Sequence, residues 1–131
     1  MIAVLLVDDH EAFLAFVKHG LIRQGYTPVT AASGAAALEL LATMPIDVAV
    51  TDIMMPDMDG IELLREIRRR HPALPVIAMT GASSDLRQSI GVLMKTLGAA
   101  AVLEKPFSTS ALIDAIEACR PDGGAAATAK E

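Results

Sequence analysis

Asp8, Asp9, Asp52, Thr80 and Lys105 each stand at, or just past, the end of a short apolar or β-branched run in a chain of 131 residues. If those runs are strands of one parallel sheet, three carboxylates, a hydroxyl and an ammonium meet at its carboxyl edge, where open sheets of this kind bind ligands. Each has an ordinary structural role when taken alone. Asp8 or Asp9 could cap the first helix, Asp52 could cap a turn, Thr80 could bond a loop amide, and Lys105 could lie exposed at a strand end. Together these roles are strained, because neighbouring carboxylates repel and raise one another's pKa unless a cation neutralises them. Hard oxygen ligands with no partnering Cys or His select Mg2+ or a similar ion, which readily takes phosphate oxygens as further ligands. With such an ion between the acids, and Lys105 and Thr80 on the opposite side, the equatorial oxygens of a transferring phosphoryl group would be held. The carboxylate facing that group would act as a nucleophile.

The elements that must position these groups are legible from periodicity. The strands read as Ala3–Val7, Thr27–Ala31, Asp47–Thr51, Val76–Thr80 and Ala100–Leu103, and the segments between them carry helical period. This alternation predicts repeated strand and helix units around a parallel sheet. The runs are nearly continuously apolar, as strands covered on both faces are, except for "TPVTA". Pro28 there removes a backbone donor, which places the second strand at a sheet edge. In the first helix Phe13, Phe16, Val17 and Leu21 share a face, and Gly25 stops the helix after Gln24. Ser33 caps a second helix that runs to about Met44 and is ended by Pro45. Ile61, Leu64 and Ile67 make the apolar face of a third, with Arg65, Arg68, Arg69 and Arg70 as solvated cations that suit the negative end of its dipole. Leu86, Ile90, Leu93, Met94 and Leu97 give the fourth, and Ser108 caps a fifth through about Cys119.

Composition narrows the function. The length fits one domain, 1–120, followed at 121–131 by "PDGGAAATAKE", expected to be a disordered tail. The lone Cys119 cannot form an internal disulfide and is read as packing, so a reducing, cytoplasmic setting is the simplest expectation. No uncharged apolar run approaches the ~20 residues of a membrane helix, so no membrane partner is expected. A net charge of -5 argues against direct nucleic acid binding, which relies on cations at phosphates.

Four stretches, "VLLVDDH", "VAVTDIMMPDMDG", "VIAMTGA" and "AVLEKPF", occur in the order and spacing of response-regulator receiver domains, and the chain resembles that family over about residues 1 to 119. The resemblance implies a flavodoxin-like α/β fold: a doubly wound five-stranded parallel sheet, strand order 2-1-3-4-5, with helices on both faces. It implies that Asp52 accepts a phosphoryl group from a histidine kinase or phosphotransfer protein in a two-component phosphorelay. Mg2+ would be held by Asp8, Asp9, Asp52 and the Met54 backbone carbonyl. Thr80 and Lys105 would bind the phosphoryl oxygens, Lys105-Pro106 would be a cis peptide, and phosphorylation would control a downstream protein or an output domain outside this chain. Such a protein is a signalling phospho-acceptor rather than an enzyme. Many receivers carry Tyr or Phe three residues before the lysine, where this chain has Val102. The alternative is therefore a phosphate-sink or non-switching receiver.

Neighbouring readings fit less well. A haloacid-dehalogenase-type phosphatase needs a second acid at position 54, which is Met54. An FMN-binding module wants a hydroxyl-rich phosphate loop where this chain has "DDHEAF". A zinc protease built on "HEAF" needs a histidine at position 14, which is Leu14. His10 is expected to be a loop residue near the acids, and His19 and His71 surface residues.

Overall fold

A computed structural model of the protein describes residues 2–53, 60–81 and 91–120. Strands β1 (Ala3–Val7), β2 (Thr27–Ala31), β3 (Val48–Asp52), β4 (Val76–Thr80) and β5 (Ala101–Glu104) form one parallel sheet in the order β2-β1-β3-β4-β5. Helices α1 (Glu11–Arg23), α2 (Gly34–Thr43), α3 (Gly60–Arg70), α4 (91–96) and α5 (Thr109–Cys119) follow the strands in turn. Pro28 lies in the edge strand β2, as its missing donor requires. Strands β3 and β5 each lie one residue later than expected, reaching Asp52 and Glu104 at the carboxyl edge, where Asp52 pairs with Met79 and Thr80 with Glu104.

Side chains alternate along each strand, so the sheet has two buried faces. Leu5, Val7, Ala49, Val76 and Ala78 point to one, where α2, α3 and α4 contribute Ala37, Leu41, Leu63, Leu64, Ile67 and Met94. Val4, Leu6, Val48, Val50, Ile77 and Met79 point to the other, covered by Leu14, Val17 and Leu21 of α1 and by Leu112 and Ile116 of α5.

Several side chains depart from the sequence reading. Phe16 is 67% exposed, because the inward stripe of α1 is set by Leu14, Val17 and Leu21, and Phe16 lies about 100° round the helix from Val17. Leu93 is exposed beside the buried Met94, while Leu86 and Ile90 lie outside the described residues. Arg68 is no solvated cation: it is half-buried and donates to the carbonyls of Pro72 and Leu74, tying the end of α3 to the loop that leads into β4. Burial lowers its pKa. The helix stops and caps match expectation, with Gly25 at φ 91° after α1, and the Ser33 and Ser108 hydroxyls accepting from the amides of Ala36 and Ala111. His19 is exposed and His71 half-buried. Cys119 is half-buried against the second core face, and burial pushes its thiol up.

One polar link fixes the sheet edge to the last helix. Tyr26, just before β2, donates its hydroxyl to Glu117 of α5, whose other oxygen accepts from Arg120 at 3.1 Å. Burial first, then the bond and charge of Glu117, push the phenol up to about 12 from 10.0. Because the folded value is the higher one, folding favours the neutral ring, so this contribution is full below pH 10 and is lost as pH rises toward 12. Denaturant titrations at pH 9.5 and pH 12 should show the native protein losing on the order of 2 kcal/mol more than Tyr26→Phe across that window. Equal losses in the two proteins would show that folding does not favour the neutral ring.

Candidate functional site

Strand register assembles the site. Val7 of β1 pairs with Thr51 of β3, so Asp8 and Asp52 are the next positions along adjacent strands. Thr80 ends β4 beside Glu104, and its carbonyl accepts the Lys105 amide at 2.7 Å. Continuing the alternation sends Asp8, Asp52 and Lys105 toward the layer of α1 and α5, and Thr80 toward the layer that holds Val102. Asp8, Asp52 and Thr80 are buried, a rare condition for carboxylates unless they are paired.

The pairing is direct. Lys105 Nζ lies 2.6 Å from Asp8 Oδ2 and 3.3 Å from Asp52 Oδ2. Sequence alone sets the ammonium across from the acids. It bridges them instead, since the parity of β5 carries Lys105 to the same face as both carboxylates. Burial pushes Asp8 up, but the hydrogen bonds from Lys105 and from the amide and ring of His10 outweigh it and hold the carboxyl below its ordinary value. His10, 70% exposed, is the N-cap residue of α1. Its ring nitrogen Nδ1 sits 2.9 Å from Asp8 Oδ1, and that bond, followed by the charge of Asp9, raises its pKa. Asp8 thus does hold the helix entrance, through the His10 amide, in addition to facing Lys105. Lys105-Pro106 is cis.

The residues fit a hard divalent cation. Asp8, Asp9, His10 and Asp52 each bring one donor atom to within 4.8 Å of the others, and the acids supply oxygen. Asp9 Oδ1 is buried with no hydrogen-bond partner among the described residues, although His10 Nδ1 lies 3.3 Å away. The misaligned His10 contact does not satisfy it, and an orphaned carboxylate oxygen beside two further acids suits a metal ligand. The backbone of Met54 lies outside the described residues, as do Pro56, Asp57 and Asp59.

Phe13 is the neighbour that motif reading missed. Its ring centroid lies 4.4 Å from Lys105 Nζ, and its ring meets Phe107 edge-on at 5.8 Å. Helical period alone places Phe13 on the core face and says nothing of the lysine. The signal was the pair of phenylalanines following "DDH" and "KP", which the fold brings together from opposite ends of the chain.

Comparison with known proteins agrees with this geometry. A family described as response regulator receiver domain matches residues 4–117. The DNA-binding transcriptional regulator NtrC of Escherichia coli K12 is 40% identical over 87% of this chain and 24% of its own length. The alkaline phosphatase synthesis transcriptional regulatory protein PhoP of Bacillus subtilis is 33% identical over 80% of this chain and 42% of its own. The chain therefore spans less than half the length of these curated relatives. Among solved structures, a response regulator receiver domain protein from Clostridium thermocellum superposes with a TM-score of 0.82 at 32% identity, covering 91% of this chain and 94% of that one. The response regulator TrrA from Thermotoga maritima, in complex with Mg(2+)-BeF, gives 0.79 at 28% identity, covering 91% and 99%.

Proposed function

Because the chain belongs to the response regulator receiver domain family, we propose that residues 1–120 form a receiver unit that accepts a phosphoryl group on Asp52 from the phosphohistidine of a partner kinase or phosphotransfer protein. The observation that carries this reading is the buried Asp52 carboxylate, beside the Lys105 ammonium and within reach of Asp8 and Asp9.

In the transfer, an Asp52 oxygen attacks phosphorus, a P–O bond forms as the P–N bond breaks, and the electron pair leaves with the histidine ring. Asp8, Asp9 and Asp52 would hold Mg2+, which when bound neutralises charge on the phosphoryl oxygens and on the acids around them. The complex of TrrA with magnesium supports that assignment by likeness. Lys105 already stands at Asp52 and needs only to exchange a carboxylate for a phosphoryl oxygen. Thr80 is linked to it through the backbone bond between β4 and β5, so a shift of the threonine hydroxyl toward phosphate would be felt in the strand that carries Val102. An attraction of a unit charge pair at 4 Å is on the order of 4 kcal/mol at an effective dielectric of 20. A swing from 1:99 to 99:1 needs about 5.5 kcal/mol, so Lys105 and Thr80 must act together. The chain works as a phospho-acceptor that undergoes transfer, not as a turnover enzyme. Its output passes to a protein partner or a further domain, and by analogy with NtrC and PhoP that output is transcriptional control. No described helix is long and apolar enough to cross a membrane, and a cytoplasmic location accords with signalling of this kind.

The test is incubation with acetyl phosphate and Mg2+. One phosphoryl group should be added per chain, mapping to Asp52 after borohydride reduction, and none in excess chelator. Label on Asp8 or Asp9, or full incorporation in chelator, would sink the assignment.

A further inference from the structure

We propose that Phe13 is a positioning residue for Lys105, holding its ammonium at the acceptor carboxylate through the face of the aromatic ring. The inference rests on the reading of Asp52 as phospho-acceptor. Lysine carries its charge on a flexible stem, with three donors and no fixed plane. Here that charge is contacted by groups from three elements. Asp8 at the end of β1 lies 2.6 Å from Nζ, Asp52 at the end of β3 lies 3.3 Å from it, and the Phe13 ring of α1 lies against it with its centroid at 4.4 Å.

The ring itself is anchored. Phe107, two residues past Lys105, meets it edge-on with the planes at 88°, and both rings pack on the core beneath α1 and α5. This geometry suits both interactions, since the edge of one ring is positive and the face of the other negative. Lys105 is 19% exposed at its side chain, so the ring also withholds water from a cation that must be found in place when phosphate arrives. A Lys105 released from the ring would retain its two carboxylates but gain freedom to swing toward solvent. In this role Phe13 acts through the lysine, the contact that the ring makes with the site.

Mere packing makes a different prediction from a π contact, and variants of similar size separate the two. The rate of Asp52 phosphorylation by acetyl phosphate in saturating Mg2+ is measured for the native chain, Phe13→Leu, Phe13→Tyr, Lys105→Ala and the Phe13→Leu Lys105→Ala pair. Phe13→Leu should slow the reaction about tenfold, the size expected of a partly desolvated cation and ring. Phe13→Tyr should restore it to within about twofold, and Phe13→Leu should cost nothing further once Lys105 is alanine. An unchanged rate in Phe13→Leu, or an equal loss in the Lys105→Ala background, overturns the proposal. A second measurement needs no variant to fold: the ε-methylene protons of Lys105 in the native protein should resonate upfield of the other lysines because of the ring current. Their absence from that region overturns the proposal as well. A native chain that takes up no phosphate, with the upfield signal present, would instead point to failure of the acceptor reading.

Discussion

Asp9→Ala is expected to slow phosphoryl transfer by about a hundredfold or more while leaving stability close to native, and Asp8→Ala to lose both. The rate estimate follows from a metal whose charge stabilisation amounts to several kcal/mol, at 1.36 kcal/mol for each factor of ten. The divergence in stability follows from what each carboxylate touches. Among the described residues Asp9 has an oxygen with no hydrogen-bond partner and a misaligned contact to an exposed imidazole, so its removal relieves repulsion and breaks little. Asp8 is wholly buried and accepts from Lys105, from the His10 amide and from the His10 ring. Charge-assisted bonds of that kind contribute roughly 1.5–3 kcal/mol each, and the partial exposure of Lys105 discounts its share, so a net loss on the order of 2 kcal/mol is expected for Asp8→Ala. Phosphorylation rates at several Mg2+ concentrations, paired with urea unfolding of the same samples, give both quantities. Native kinetics in Asp9→Ala would remove Asp9 from the metal site, and native stability in Asp8→Ala would show that Lys105 finds an equivalent partner without it.

The same contrast explains what could be read from sequence. Strands buried on both faces announce themselves as unbroken apolar runs, and Pro28 marks the edge because it cannot serve an interior ladder. Residues at or just after the ends of such runs must emerge together, so the sequence alone gathers Asp8, Asp52, Thr80 and Lys105 at one edge. It leaves their mutual arrangement open. Whether Lys105 faces the acids or bridges them depends on the parity of β5 and on where its ladder ends, and that end lies a residue beyond the apolar run, at Glu104. The contact of Phe13 with Lys105 joins α1 to the loop after β5, a pairing that no local period encodes. In α1, Phe13, Phe16 and Leu14 all fit an apolar helical stripe, and only packing against the sheet chose Leu14, Val17 and Leu21 over Phe16. Arg68 was hidden for a similar reason. A run of arginines looks solvated until the following turn brings the carbonyls of Pro72 and Leu74 under one of them.

Gly60→Ala should destabilise the protein by about 3 kcal/mol, near the upper end of what overpacking usually costs, and should disturb Asp52 as it does so. Gly60 is the first residue of α3, and its amide donates to the Ile53 carbonyl at 3.0 Å. A β-carbon built there would lie 2.2 Å from Ile53 Cα, 2.8 Å from the Asp52 carbonyl oxygen and 2.9 Å from Ile53 Cβ. The nearest obstacles are backbone atoms, which cannot rotate away as a long side chain can. Either α3 retreats from the sheet, exposing the surroundings of Leu63, Leu64 and Ile67, or the end of β3 moves and carries the acceptor with it. Trimming Ile53 should not rescue the variant, because the closest atom is its α-carbon, present in every residue. Urea unfolding of Gly60→Ala and of Gly60→Ala with Ile53→Ala measures the first claim, and the phosphorylation rate of the folded fraction measures the second. An unchanged unfolding midpoint would mean that α3 accommodates the methyl group by a small slide. A normal rate in a destabilised variant would mean that the glycine serves the packing of α3 without placing Asp52.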